Sequence, residues 1–159
     1  MIIQHHEMRE VMICPGRVHL SQIRIMLNTQ ITELMTPTPR VVQSEDSLLR
    51  VKQIFEQQQF HHHLPVVDGN GLIGMISLYD FIIAMGGASL DDKEPVYASK
   101  KASEIMSRDL VSCTPESTLG DVLKLMLTHH VSGIPVVQGA DLVGIVTSRD
   151  VLRWVSERG

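Results

Sequence analysis

The sequence predicts an α/β (α+β) fold built from two β-α-β-β-α repeats, packed sheet to sheet with pseudo-two-fold symmetry. Three observations carry this. Gly74-Met75-Ile76-Ser77-Leu78-Tyr79-Asp80 recurs as Gly144-Ile145-Val146-Thr147-Ser148-Arg149-Asp150, 70 residues later, and each copy follows a Pro-Val-Val at 65–67 and 135–137. Glu33-Leu34-Met35 matches Glu104-Ile105-Met106 at a separation of 71, so the first copy holds one extra residue, expected between Pro37 and Val42. Within each copy, a helical spacing of apolar residues gives way to a short β-branched run. Core packing alone does not demand a hydroxyl and a carboxylate at fixed spacing. The shared signature Gly-h-h-Ser/Thr-x-x-Asp (h, hydrophobic) therefore carries function as well as fold.

Residues 1–30 precede both repeats, and Ser21 is placed to cap a helix carrying Ile23, Met26 and Leu27. The first repeat spans 31–85. Val41-Val42 reads as a short strand, Ser44-Glu45-Asp46-Ser47 as a helix start with acids suited to the helix dipole, and Leu48, Val51, Ile54 and Phe55 as its apolar stripe. Leu64–Val67, the turn Asp68-Gly69-Asn70-Gly71 and Leu72–Ser77 form a hairpin, followed by a helix from Asp80 to Met85 that Gly86-Gly87 ends. Residues 86–101 read as a linker. The second repeat spans 102–156: a strand at Val111-Ser112, Pro115 at a helix's first position, a stripe of Leu119, Val122, Leu123 and Met126, a hairpin of Ile134–Val137 and Leu142–Thr147, and a last helix from Asp150 to Val155. One such unit is too small to bury a comfortable core alone, so the two are expected to pack together and form related clefts where they meet.

Composition narrows the function. The 159 residues are 43% apolar, 4% aromatic and 20% charged, which gives an aliphatic core. A net charge of −4, from 14 basic and 18 acidic residues, argues against a nucleic-acid surface. No apolar run reaches the roughly 18 residues of a membrane span. The start of the chain, with His5, His6, Glu7, Arg9 and Glu10, lacks the apolar stretch of a signal peptide, so a cytoplasmic location is expected. Cys14 and Cys113 make no disulfide framework and are expected as small buried residues. His61-His62-His63 invites a metal reading, but consecutive residues of a strand point to alternating faces and do not converge on one ion. No metal site is expected. Nor is there a nucleophile elbow or a Gly-x-Gly-x-x-Gly, so the chain is expected not to be an enzyme.

In order and repeated, Glu-h-Met, a helical stripe, Pro-Val-Val and Gly-h-h-Ser/Thr-x-x-Asp resemble the cystathionine β-synthase (CBS) domain, and the tandem resembles a Bateman module. The resemblance implies a regulatory module that binds AMP, ADP, ATP or S-adenosylmethionine in clefts between the repeats, with no cofactor required. The Asp would accept both ribose hydroxyls, and the Ser/Thr would contact phosphate or ribose. It also implies that each cleft is shared: Thr147 and Asp150 facing Val41 and His62-His63-Leu64, and Ser77 and Asp80 facing Val111 and Ser132-Gly133-Ile134. A homodimer formed through the helices, and an unidentified regulated partner, are implied as well. Arg149 beside Asp150, with Arg40, His62 and His63, suits a phosphate. The Thr147/Asp150 cleft is therefore expected to take the phosphorylated nucleoside, and the other a less charged ligand or none. Two alternatives stay open: that each Asp serves only as a helix cap, and that the pair is a ligand-free interaction scaffold.

Overall fold

A computed structural model of the chain describes residues 20–57, 62–69, 71–86, 97 and 99–158. The expectations for residues 1–19, His61, Asn70, Gly87 and most of the 86–101 segment lie outside them.

Helix α1 (Leu20–Leu27) leads through a 3-10 turn (Ile31–Glu33) to β1 (Thr36–Pro37) and β2 (Val42–Gln43). Helix α2 (Leu48–Gln57) buries Leu48, Val51 and Ile54 at helical spacing; β3 (His63–Asp68), β4 (Gly71–Ser77) and α3 (Leu78–Ala84) complete the first repeat. The second runs through α4 (Ala102–Ile105), α5 (Leu119–His129), β5 (Gly133–Gln138), β6 (Asp141–Thr147) and α6 (Ser148–Ser156). Gly69 and Gly139 turn the hairpins at φ 60 and 64, a conformation that favours glycine. The sheet order is β1-β6-β4-β3-β2, with β5 on β6, and the two hairpins meet edge to edge at Gly71 and Asp141. The mixed α/β fold of two β-α-β-β-α repeats is thus present, and its sheets join.

Several boundaries differ from the sequence reading. Helix α2 starts at Leu48, directly after the Ser44–Ser47 cluster as read, but Asp46 accepts from Gln43 N–H at 2.8 Å in a turn and no acid lies in the helix's first turn. Pro115 lies in a turn rather than at a helix start, because Thr118 and Asp121 cap α5 three residues later. The second repeat's strand contact is at Cys113, which bridges Val136 in parallel, not at Val111-Ser112. Its counterpart Val42 pairs with Val66. Val42 and Cys113, and the helix starts Leu48 and Leu119, are all 71 apart, whereas Val66 and Val136 are 70 apart. The extra residue of the first copy therefore lies after the helix stripe, not at Pro37–Val42. Tyr97, inside the expected linker, is buried against Phe81 in the first core.

The units that pack are not the units that repeat. Ile31 and Leu34 belong to the core of the second repeat, and Ala102 and Met106 to the core of the first. The lead-in of each copy crosses to the other. Leu119 N–H donates to Thr29 O (2.8 Å) and Ile31 N–H to Ser117 O (2.9 Å), mirrored by Leu48 N–H to Lys100 O (3.0 Å) and Ala102 N–H to Asp46 O (2.8 Å). Ion pairs fasten both crossings: Glu33 with Arg158 at 3.7 Å, and Glu45 with Lys101.

Candidate functional site

Each hairpin delivers its last residue to the start of a helix, where a capping box forms. Ser77 N–H and Oγ–H donate to Asp80 Oδ2 at 2.8 and 2.6 Å, and Asp80 N–H returns to Ser77 Oγ at 3.1 Å. Thr147 and Asp150 repeat this at 2.8, 2.6 and 3.3 Å. Thr118 and Asp121 form a third box on α5 that lines neither of the clefts described below. Capping accounts for the hydroxyl-x-x-carboxylate spacing but engages one carboxylate oxygen of each Asp. The other oxygens differ. Asp80 Oδ1 has no hydrogen bond among the described residues, whereas Asp150 Oδ1 accepts from Arg153 Nη2 at 2.6 Å. Asp150 is 6% exposed.

Two clefts open where the repeats meet. The first, of about 580 Å³, holds Ser77, Asp80, Val111 and Ser132, with Ser107, Asp109 and Leu110 forming a wall from the opposite repeat. The second, of about 400 Å³, holds Thr147, Arg149, Asp150 and Arg153, with Thr36 from the first repeat. His62, His63 and Ser132 line both. The structure thus brings together Ser77, Asp80, Val111 and Ser132 in one cleft, and Thr147, Arg149, Asp150, His62 and His63 in the other.

Two expected residues stand elsewhere. Ile134 is fully buried in the second core, opposite Val146. Val41 lines a separate depression with Thr38, Pro39 and Leu142. The cause is the lead-in's path: β1 follows β6 from Thr36 to Thr38, whose N–H reaches Val143 O at 3.4 Å, and so carries Val41 past the cleft. In the other copy only Ser107 bridges β4, at Met75, and the chain leaves early enough for Asp109–Val111 to wall the first cleft. Arg40 is not among the residues lining either cleft. The sequence reading missed Arg153, Thr36, Ser107 and Asp109. Arg153 was signalled by its i+3 spacing from Asp150 on a helix, and Thr36 and Ser107 by the hydroxyl that follows each Glu-h-Met.

Electrostatically the clefts are unlike. The second collects two arginines beside the shared histidines; the first has no Arg or Lys among its lining residues and adds Asp109 to Asp80. Burial holds the His63 imidazole below its ordinary 6.5; His62 pushes the same way and Asp80 opposes. Among the described residues no three His, Cys, Asp or Glu side chains are grouped to hold a metal ion, and no helix is long and apolar enough to cross a membrane.

Known proteins bear on this geometry. The family model described as CBS domain matches residues 31–87 and 102–157. The CBS domain-containing protein YhcV of Bacillus subtilis is 30% identical over 125 residues, 78% of this chain and 80% of YhcV. The inosine-5′-monophosphate dehydrogenase of Methanocaldococcus jannaschii is 46% identical over 57 residues, 35% of this chain and 12% of the enzyme. Like that enzyme, other curated relatives are longer, and the chain spans less than half of their length. Among solved structures, the CBS domain pair of protein MJ0100 in complex with 5′-methylthioadenosine and S-adenosyl-L-methionine is similar at a TM-score of 0.67 and 28% identity, over 80% of this chain and 99% of that one.

Proposed function

The chain belongs to the CBS domain family, as a tandem pair, and from that premise we propose that it is a non-enzymatic regulatory module binding adenosine-containing ligands in its two clefts. The carrying observation is the pair of capped carboxylates, Asp80 and Asp150, each lining a cleft that the opposite repeat completes. A carboxylate can accept from both hydroxyls of a ribose, and such charge-assisted hydrogen bonds are strong. The cap holds each carboxylate in place, so little ordering is left to do on binding.

Charge divides the ligands. Arg149, Arg153, His62 and His63 favour a phosphorylated nucleoside such as AMP, ADP or ATP in the Asp150 cleft. Arg153 holds Asp150 Oδ1 there, but its side chain is 56% exposed. The exposed guanidinium has room to swing to a phosphate while ribose takes its place on the buried carboxylate, whose side chain is 8% exposed. Asp80 and Asp109 favour an uncharged or cationic adenosyl group, as in S-adenosylmethionine, in the other cleft. The two adenosyl ligands on the MJ0100 pair support the reading. Because both clefts straddle the repeats, a ligand that favours one packing of the repeats over another shifts the balance between them. The output passes to a separate protein or through a homodimer.

Calorimetric titration with AMP tests this. Asp150→Asn keeps the cap but loses an acceptor for ribose, and is expected to weaken AMP binding about 10- to 100-fold, as for a hydrogen bond to a charged group. Asp80→Asn is expected to leave it within a few-fold. Loss with Asp80→Asn alone overturns the assignment of clefts. No heat with AMP, ATP or S-adenosylmethionine leaves the ligand-free scaffold as the reading.

A further inference from the structure

His63 and Gly133 hold matching places, 70 residues apart, each the first residue of its strand: His63 opposite Ser77 on β4, Gly133 opposite Thr147 on β6. The repeat is broken here, and the break is steric. A Cβ on Gly133 would stand 2.7 Å from Cγ, 2.9 Å from Cδ2 and 3.0 Å from Nδ1 of the His63 ring. The imidazole therefore lies on the bare backbone of its own counterpart, and only one of the two positions can carry a side chain. Its Nε2 is 3.2 Å from Ser132 Oγ. His62, His63 and Ser132 are the described residues common to both clefts.

The geometry points to His63 as a partition shared by the two clefts, through which a ligand in one weakens binding in the other. The inference rests on the reading of the clefts given above. The ring is tethered to β3 and floored by Gly133, so its freedom is to lean toward one cleft or the other. An adenosyl group filling the Asp80 cleft pushes the ring toward Asp150, and the reverse. Leaning also turns Nε2 away from Ser132, so each ligand meets a differently placed ring and donor. Close packing makes this a choice between discrete arrangements rather than a graded yielding. Coupling between sites is commonly 5- to 150-fold; a single ring places the expectation near roughly ten-fold.

AMP is titrated calorimetrically into the protein alone and into protein saturated with S-adenosylmethionine. The same pair of titrations is run on His63→Gly, which copies the residue of the matching place, on His63→Ser as a second variant should glycine loosen the strand, and on Asp80→Asn. The expected result is AMP binding about ten-fold weaker in the presence of S-adenosylmethionine, with the difference absent in all three variants. A difference that survives in His63→Gly and His63→Ser, or one absent from the unsubstituted protein although both ligands bind, overturns the partition and leaves the proposed function standing. A difference that survives in Asp80→Asn marks competition for one cleft and also overturns it. No heat from either ligand removes the paired sites, and with them both proposals.

Discussion

The His63 ring is held largely out of water beside Gly133 and Ser132, and this gives the stability of the fold a sign with pH. Desolvation is the larger cause of its lowered pKa, with His62 adding to it and Asp80 opposing. The unfolded chain takes up this proton near pH 6.5, the folded chain only at lower pH. Between those two values the unfolded state binds more protons, so stability rises with pH. The contribution is whole above about 6.5 and is lost as pH falls through the folded value. Thermal unfolding at pH 7.5 and 5.5 is expected to show a lower midpoint at 5.5, and a smaller drop in His63→Gly. The two clefts that share the ring are also lined by His62 just before β3, Asp80 on α3, Asp109 on the second lead-in, His130 at the end of α5, and Arg149, Asp150 and Arg153 on α6. Repeating the comparison with His62→Gln and His130→Gln in place separates the other two cleft imidazoles. An equal drop with and without His63 would falsify the assignment of the effect to this ring.

Elements, rather than residues, explain why the repeated motifs contain a glycine and a methionine at all. Gly74, which opens the Gly-h-h-Ser motif of the first copy, faces Met106 of the second copy's Glu-h-Met; a Cβ there would stand 2.3 Å from Sδ, 2.7 Å from Cγ and 3.0 Å from Cβ of the methionine. Gly144 faces Met35 in the same way, at 2.6 Å from Sδ and 3.3 Å from Cγ. The two halves of the motif lock the exchanged lead-ins onto the hairpins. Gly74→Ala is expected to cost about 1–3 kcal/mol, as overpacking does. Gly144→Ala is expected to cost less, since its closest contacts, Met35 Sδ at 2.6 Å, Met35 Cγ at 3.3 Å and the Thr36 carbonyl at 3.3 Å, are looser than the three that Gly74 makes with Met106. Combining Gly74→Ala with Met106→Ala is expected to be strongly non-additive in chemical denaturation, because the second change removes the two closest contacts made by the first, with Sδ and Cγ, and leaves only Cβ at 3.0 Å; simple additivity would refute the lock. The hairpins themselves were legible, from Pro-Val-Val, Asp68-Gly69 and short apolar, β-branched runs that are buried without a break. The exchange was not. A sequence repeat shows that two segments are alike, and a Gly–Met contact within a copy reads the same as one between copies. Strand β1 was hidden for a related reason: a two-residue strand containing Pro37 has neither the length nor the composition of a strand. The resemblance placed Val41 in the Asp150 cleft, and β1 carries it past to a separate depression. The carboxylate sites were legible because a hydroxyl and an acid three apart stand out from an aliphatic background. Whether they cap or bind was open in the sequence because one side chain has an oxygen for each role.

Across the whole molecule, the helices that begin at the two carboxylates also present apolar side chains to solvent. Ile82 and Leu152 match, 70 apart, each two residues after its Asp, and are 50% and 70% exposed; Ile83 adds 58%. Leu127 on α5 is 76% exposed. Scattered exposed apolar residues need no explanation, but Ile82 and Leu152 recur at equivalent places on the two repeats, with Ile83 beside the first, and suit a face covered by a second copy. A two-fold dimer through α3 and α6 would set the ligand motif and the subunit contact on the same short helix, two residues apart. A ligand that shifts the start of α6 at Asp150 then moves Leu152 with it. Light scattering after size exclusion is expected to give a dimer for the unsubstituted protein at micromolar concentration and a monomer for Ile83→Asp combined with Leu152→Asp. Circular dichroism of that variant is expected to be unchanged, because neither side chain contributes to a core. Sedimentation with saturating AMP is expected to change the dimer dissociation constant of the unsubstituted protein, and by thermodynamic reciprocity dimerisation must change AMP affinity by the same factor. A monomeric unsubstituted protein would remove this face as an interface between copies. A dimer whose dissociation constant ignores AMP would sever the helix from its role as transmitter, even with both clefts occupied.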